Sequence, residues 1–123
     1  MGNQAFEDVQ TRITALNAAA DYSSTGFRRL VYLNSSAQAQ TCTDNTSLTQ
    51  CPLGPLGNTP RGTDENAVVD VGPIVICEAG SALATEGVLV TFDSVGRIIA
   101  FTAGAGEKKW VYGVLHRDRD WET

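Results

Sequence analysis

The first periodic pattern in the chain lies near its beginning, where four apolar residues recur at spacings of three and four. They are Phe6, Val9, Ile13 and Leu16. Such spacing places them on one face of a helix, with Asn3 available as a cap. Because a helix this short is marginal alone, we expect its apolar face to dock on a partner or on the rest of the domain. The sequence thus predicts an arm, residues 1–26, with a short helix followed by a small, polar, extended stretch.

The pattern then changes to short runs of apolar, β-branched and aromatic residues separated by Gly, Asp or Ser. These runs are FRRLVYL, NAVVDV, PIVICEA, GVLVTF, RIIAFTA and KWVYGVL. Runs of this length predict strands, and the segment FDSVGR predicts a hairpin turn that begins at Asp93 and uses Gly96 for a positive φ. We therefore expect a mainly β fold, a small antiparallel β-barrel or sandwich over residues 27–115, followed by a charged tail at 116–123.

A polar stretch interrupts the β pattern at residues 34–62. It carries many Ser, Thr, Asn and Gly residues and three of the four prolines, so we expect a long irregular loop of the kind that is usually functional or ordered by a partner. Cys42 and Cys51 flank the segment CTDNTSLTQC within it and could close a ten-residue ring, whereas Cys77 lies in an apolar run. Free thiols and a Cys42–Cys51 disulfide both remain open from the sequence.

Charge narrows the classes of partner. The 123-residue chain has a formal net charge of −5, and the whole acidic excess lies in residues 63–123, with five basic and ten acidic groups. Nucleic-acid binders and proteins of anionic membrane surfaces carry basic clusters instead, so we expect neither nucleic acid nor membrane as a partner. We expect neither a signal segment nor a membrane span, because the sequence has no charged-then-apolar signal pattern and no apolar run of about 20 residues.

Catalytic and ligand-binding motifs are weak throughout. His116 is the single histidine, HRD at 116–118 lacks every other protein-kinase motif, and GAGEKK at 104–109 lacks the spacing of a phosphate loop. Cys pairs with zinc-site spacing are missing, and the carboxylates are scattered. We therefore expect no enzyme activity, no catalytic residue, no metal and no cofactor.

An ordered series of short motifs in the last two thirds of the chain carries a resemblance. The segments are Leu56–Pro60, Val68–Gly72, Glu78–Gly87, Val90–Gly104 and Gly113–Leu115, preceded by STGFRRLVYLN. Over about 90 residues they resemble the capsid decoration, or cement, proteins of tailed bacteriophages. Two features depart from that family's pattern: the tail HRDRDWET, and the N-terminal arm with its cysteine-flanked loop.

The resemblance implies a structural role. It implies a virion protein, made in the bacterial cytoplasm, that sits on the outer capsid surface and cements major capsid protein subunits against internal DNA pressure. The expected partners are the major capsid protein and further copies of the chain, as a trimer or a dimer. The alternative is a virion-displayed β-domain, in a fibre or tail, for host-surface or glycan adhesion through aromatics such as Trp110, Tyr112 and Trp121.

The predicted partner contacts come from the arm, the first strand and the tail. They are Phe6, Val9, Ile13, Leu16, Arg28, Arg29 and Trp121. The tail alternates Arg and Asp before Trp121, so it has no apolar face for a core strand. Since tryptophan is enriched at interface hot spots, we expect Trp121 to anchor the tail on an adjacent subunit, a solvated terminus being the other interpretation.

Overall fold

The computed structural model describes residues 11–83 and 85–116, which form eight β-strands and no helix. The strands are β1 (Thr11–Ala18), β2 (Leu30–Leu33), β3 (Gln38–Thr41), β4 (Gly54–Pro55), β5 (Asn66–Val71), β6 (Leu89–Phe92), β7 (Ile98–Ala100) and β8 (Gly113–Val114). None of the described residues belongs to a helix that could cross a membrane. The expectation of a mainly β protein is confirmed.

The strands form two sheets. The larger sheet has the order β4-β2-β3-β1-β5, and the smaller one has the order β7-β6-β8. All pairings are antiparallel except that of β1 with β3. A single bridge between Leu56, just after β4, and Val69 of β5 brings the two ends of the larger sheet together. The arrangement is consistent with a sandwich, and the described residues form no closed barrel.

The predicted N-terminal helix is wrong for the part that the structure describes. Ile13 and Leu16 lie on β1, which pairs with β5, and the register of that pairing shifts between these two residues. The irregularity adds a residue to the strand, so side chains three apart can point to the same face, as they do in a helix. Both side chains pack against the core of their own domain. The Asn66 side chain holds the irregular backbone by donating to the carbonyls of Thr14 and Leu16.

The predicted hairpin is confirmed. Phe92 of β6 pairs with Ile98 of β7, and the Asp93 amide donates to the Arg97 carbonyl at 2.9 Å. The Asp93 carboxylate also accepts the amides of Val95 and Arg97, both at 3.0 Å. Gly96 has φ +86°, and a Cβ there would lie 2.9 Å from the Leu30 carbonyl oxygen. The turn therefore requires glycine for both backbone conformation and space.

Other predicted elements differ in extent. NAVVDV is β5, and three further runs contain β2, β6 and β7, but KWVYGVL contributes only the two residues of β8. PIVICEA forms no strand, and only its last residue makes a bridge, between Ala79 and Ile98. The expected irregular loop at 34–62 contains β3 and β4, because β2 recruits a partner from it on each of its edges.

Strand β2 connects two hydrophobic cores. Val31 belongs to the core of the larger sheet, with Leu56 and Val69, whereas Leu30 belongs to a second core with Phe92. Successive side chains of a strand point to opposite faces, so one strand supplies both cores. The Leu30 amide also donates to the Gly96 carbonyl at 2.7 Å, which ties β2 to the turn of the smaller sheet.

Candidate interaction surfaces

Two arginines converge on one carboxylate at the edge of β5. The Asp70 carboxylate lies 2.7 Å from Arg28 Nη1 and 2.9 Å from Arg12 Nε. Gly57 makes room for it, because a Cβ at this position would lie 3.0 Å from Asp70 Oδ1. Arg12 and Arg28 also line a small pocket with the segment Ile74–Ile76. With two guanidinium groups for one carboxylate, this cluster carries a net positive charge in an otherwise acidic protein.

The predicted contact residues Arg28 and Arg29 have partners within the chain. The Arg28 guanidinium also lies over the Phe27 ring, 4.6 Å from its centroid. Arg29 Nε donates to Glu78 Oε2 at 2.9 Å. The backbone of Arg28 has φ +65°, a conformation that is uncommon for a residue other than glycine. The Arg28 carbonyl accepts the Glu78 amide at 2.8 Å, so these residues fasten the segment after Cys77 to the start of β2.

A groove of about 610 Å³ opens where the two sheets meet. One wall is the segment Gly72–Cys77, which follows β5, and the other runs from Tyr112 to His116 and includes β8. Leu53, Val90 and Ile98 also line it. Most of these side chains are aliphatic, so the groove suits an apolar group.

The rim of the groove carries an exposed apolar patch, defined here as Ile74, Ile76, Leu89 and Val114. Ile76 is 69% exposed and Val114 is 59% exposed. Leu89 of β6 and Val114 of β8 are directly paired across the sheet, so their side chains share a face. Large apolar side chains grouped in this way on a small domain are typical of an interaction site.

The cysteine-flanked loop packs on the smaller sheet. Trp110 donates from its backbone amide to the Asn45 carbonyl at 2.8 Å and from Nε1 to the Ser47 carbonyl at 2.6 Å. Asn45 Nδ2 donates to the Phe92 carbonyl at 3.0 Å, and Gln50 Oε1 accepts the Thr43 amide at 2.7 Å. The loop is therefore ordered by its own chain, while Leu48 remains 85% exposed.

All three cysteines are free. Burial raises the pKa of the Cys42 thiol to about 12, and the neighbouring Cys51 adds to the effect. Burial also raises the pKa of Cys77 to about 12. Thiols with raised pKa values stay protonated at neutral pH and are therefore weak nucleophiles. Within residues 11–83 and 85–116, no group of three or more His, Cys, Asp or Glu side chains is placed to hold a metal ion.

The structure does not gather the predicted contact residues into one site. Ile13 and Leu16 lie half-buried on β1, and Arg28 and Arg29 lie at the entry to β2. Phe6, Val9 and Trp121 lie outside the described residues.

Sequence reasoning missed the Asp70 cluster and the apolar patch. The cluster joins residues 42 positions apart in the chain, and no local signal indicates such a pairing. The patch had a signal, because Gly72 and Pro73 are residues that interrupt a sheet, yet the apolar composition of PIVICEA predicts a strand.

We compared the chain with protein-family models, with characterised proteins and with solved structures, and none of the three comparisons gave a match.

Proposed function

We propose that the chain is a structural protein of a bacteriophage virion that binds the outer surface of the assembled capsid and cements major capsid protein subunits. The proposal joins the motif series of the sequence to one structural observation, the exposed apolar patch beside the groove. In this role the protein needs no catalytic group, metal or cofactor. Its partners are the major capsid protein and other copies of itself.

The composition of the apolar patch and its surroundings favours a protein as the partner. Ile76 and Val114 expose apolar side chains on opposite walls of one groove, and the Arg12 and Arg28 guanidinium groups lie beside it. An apolar centre with arginine at its rim is the usual composition of a protein interface. The predicted contacts Phe6, Val9 and Trp121 belong to segments that adjoin this surface in sequence, since Thr11 lines the small pocket and His116 lines the groove.

The adhesion alternative has less support. Of the aromatic residues expected to bind a glycan or host surface, Trp110 is engaged by the Ser47 carbonyl and packs on the second core. Tyr112 packs on the same core, and burial raises its pKa well above the ordinary value. Both rings therefore serve the fold, which leaves a smaller aromatic surface for stacking on sugars.

Cementing follows from thermodynamic linkage. A protein that binds the assembled shell and not the dissociated subunits stabilises the shell by RT ln(1 + [L]/Kd), about 2.7 kcal/mol per site at a concentration a hundred times Kd. Because an icosahedral shell repeats the site many times, this modest term accumulates over the particle.

The test is binding to capsids of the parent phage that lack the protein. Adding the purified chain should saturate the particles at a copy number that matches the symmetry of the shell, in the hundreds for a large capsid. It should also raise the temperature at which the capsids release their DNA. The count is made by quantitative mass spectrometry of purified particles.

A matched pair of variants ties binding to the patch. Ile76→Asp places a charge in the patch, whereas Leu48→Asp places the same charge on the exposed loop. Occupancy should fall only for Ile76→Asp. A few copies per particle, or no change in thermal release at full occupancy, would contradict cementing and favour a fibre or tail component.

A further inference from the structure

The first and last described residues lie at the small pocket and at the groove, respectively. His116, the last described residue, is part of the groove, and Thr11, the first, lines the adjoining small pocket. The segment Ile74–Ile76 belongs to both pockets and separates them. An occupant of this surface therefore meets an apolar groove on one side of that segment and two guanidinium groups on the other.

The chemistry of the surface defines its ligand. The groove favours a large apolar side chain as its occupant, because its lining is mostly aliphatic. Arg12, whose side chain is 59% exposed, and Arg28 exceed the charge of the single Asp70 carboxylate between them, so they favour a carboxylate close to that apolar group.

The sequence contains such a segment directly after His116. Residues 117–123 read RDRDWET, in which Trp121 stands between Asp120 and Glu122. The segment has two arginines, at 117 and 119, and three carboxylates, and the two carboxylates that adjoin Trp121 complement the two arginines of the pocket beside the groove. Seven residues reach at most about 23 Å when extended, enough to cross onto a neighbouring molecule.

We propose that residues 117–123 of one copy dock in the groove of a second copy, with Trp121 in the groove and its acidic neighbours facing Arg12 and Arg28. The inference rests on the self-association part of the proposed function and supplies its contact. The contact is heterologous, because the segment of one copy meets the groove of another, and such contacts close into rings when the rotation permits.

A second copy is a better host than the same chain. Gly113 to His116 form one wall of the groove, so a segment continuing from His116 would have to reverse at once to lie against them. Residues 117–119 are Arg-Asp-Arg, in which the aspartate is the one residue that favours a tight turn. The groove of a neighbour can be reached without such a reversal.

The test is a complementation experiment with the purified full-length chain in the absence of capsids. Trp121→Ala keeps the groove and loses the anchor, and Ile76→Asp keeps the anchor and impairs the groove. Sedimentation velocity across a wide concentration range should show that wild type associates and that each variant alone associates about tenfold or more weakly. An equimolar mixture of the two should recover a 1:1 heterodimer and no larger species, because one working contact remains per pair.

A control variant and a folding check accompany the test of tail docking. Leu48→Asp should associate like wild type, and circular dichroism should show that Ile76→Asp, altered at an exposed side chain, is folded. Trp121→Ala that associates like wild type would overturn the proposal in favour of a groove-to-groove contact. A mixture that stays monomeric while wild type associates would overturn it as well, because the segment and the groove would then not bind each other. Wild type that is monomeric at every concentration would overturn it in favour of docking within one chain or on the coat. Capsid binding is measured separately, so failure of cementing leaves a heterodimer result intact.

Discussion

Replacing Gly54 by alanine should weaken the place where the two ends of the larger sheet meet. A Cβ at Gly54 would lie 2.1 Å from the Asp70 carbonyl oxygen, whereas Cβ atoms essentially never approach within 3.0 Å. Strands β4 and β5 would therefore have to separate by about 0.9 Å, the difference between those two distances. The obstacle is backbone, so no change of rotamer relieves it, and the neighbouring bridge from Leu56 to Val69 would be strained.

The expected cost follows from overpacking. Extra volume in a well-packed site typically costs about 1–3 kcal/mol, and for a domain of this size 1 kcal/mol lowers the melting temperature by about 4 °C. We therefore expect Gly54→Ala to lower the free energy of unfolding by about 1–3 kcal/mol and the melting temperature by about 4–12 °C. Urea denaturation followed by tryptophan fluorescence measures the former, provided that the m-value is unchanged.

Two further variants make this prediction refutable. Gly62→Ala is the matched control, because a Cβ there meets no atom within 4 Å, so its stability should equal or slightly exceed wild type. The double variant Gly54→Ala/Val69→Ala should be no more stable than Gly54→Ala, since shortening Val69 leaves the backbone clash in place. If Gly54→Ala lies within 0.5 kcal/mol of wild type, or if Val69→Ala rescues it, the close approach of β4 and β5 is refuted.

Three smaller predictions concern the hairpin, the irregular strand and the thiols. Asp93→Ala should lower the free energy of unfolding by about 1–3 kcal/mol, because it removes two amide caps and the ion pair with Arg97, and urea titration against Gly62→Ala checks it. Asn66→Ala should cost about 1 kcal/mol and speed amide exchange in β1; unchanged exchange would contradict a role in holding the strand. Iodoacetamide at pH 8 should label the exposed Cys51 first, with all three thiols reacting only in denaturant. Because burial raises the pKa of Cys42 from 9.0 to about 12, the unfolded chain loses that proton first, so stability should fall as the pH rises above 9 and should do so less in Cys42→Ser.

Strands β6 and β7 were predictable because their signals are local. In FDSVGR, Asp93 caps the turn amides and Gly96 supplies the positive φ, so a window of six residues determines the hairpin and the pairing of β6 with β7. The run NAVVDV likewise coincides with β5, since alternating burial matches a strand with one face on a core.

The N-terminal strand was not predictable in the same way. The irregular register between Ile13 and Leu16 produces the same spacing of apolar residues as a helix. Asn66, whose side chain binds the irregular backbone of β1, lies about 50 positions further along the chain. Strand β3 shows the converse case. QAQT has a composition typical of a loop, and it is a strand because β2 and β1 offer it hydrogen-bond partners on both sides.

The candidate site depends on similar long-range placement. In NAVVDV, Asp70 fits the ordinary alternation of polar and apolar residues along a strand, so the sequence gives no sign of a special role. Its pairing with Arg12 and Arg28 appears only when β1, β2 and β5 are assembled. For Ile74 and Ile76, the apolar and β-branched composition of PIVICEA predicts a strand. Their local sequence does not show whether the fold places a neighbouring strand beside them. The segment Gly72–Cys77 lines an open groove instead.

The position of that groove couples binding to the stability of the whole domain. One wall follows β5 of the larger sheet and the other includes β8 of the smaller sheet, so an occupant contacts both. Unfolding of either core would destroy the groove, and any ligand confined to the folded state raises the free energy of unfolding by RT ln(1 + [L]/Kd). If a second copy is the occupant, the ligand concentration is the protein concentration, and the melting temperature of wild type should rise with it. Ile76→Asp should weaken that dependence and Leu48→Asp should keep it, so a melting temperature independent of concentration in all three would show that no second copy occupies the groove.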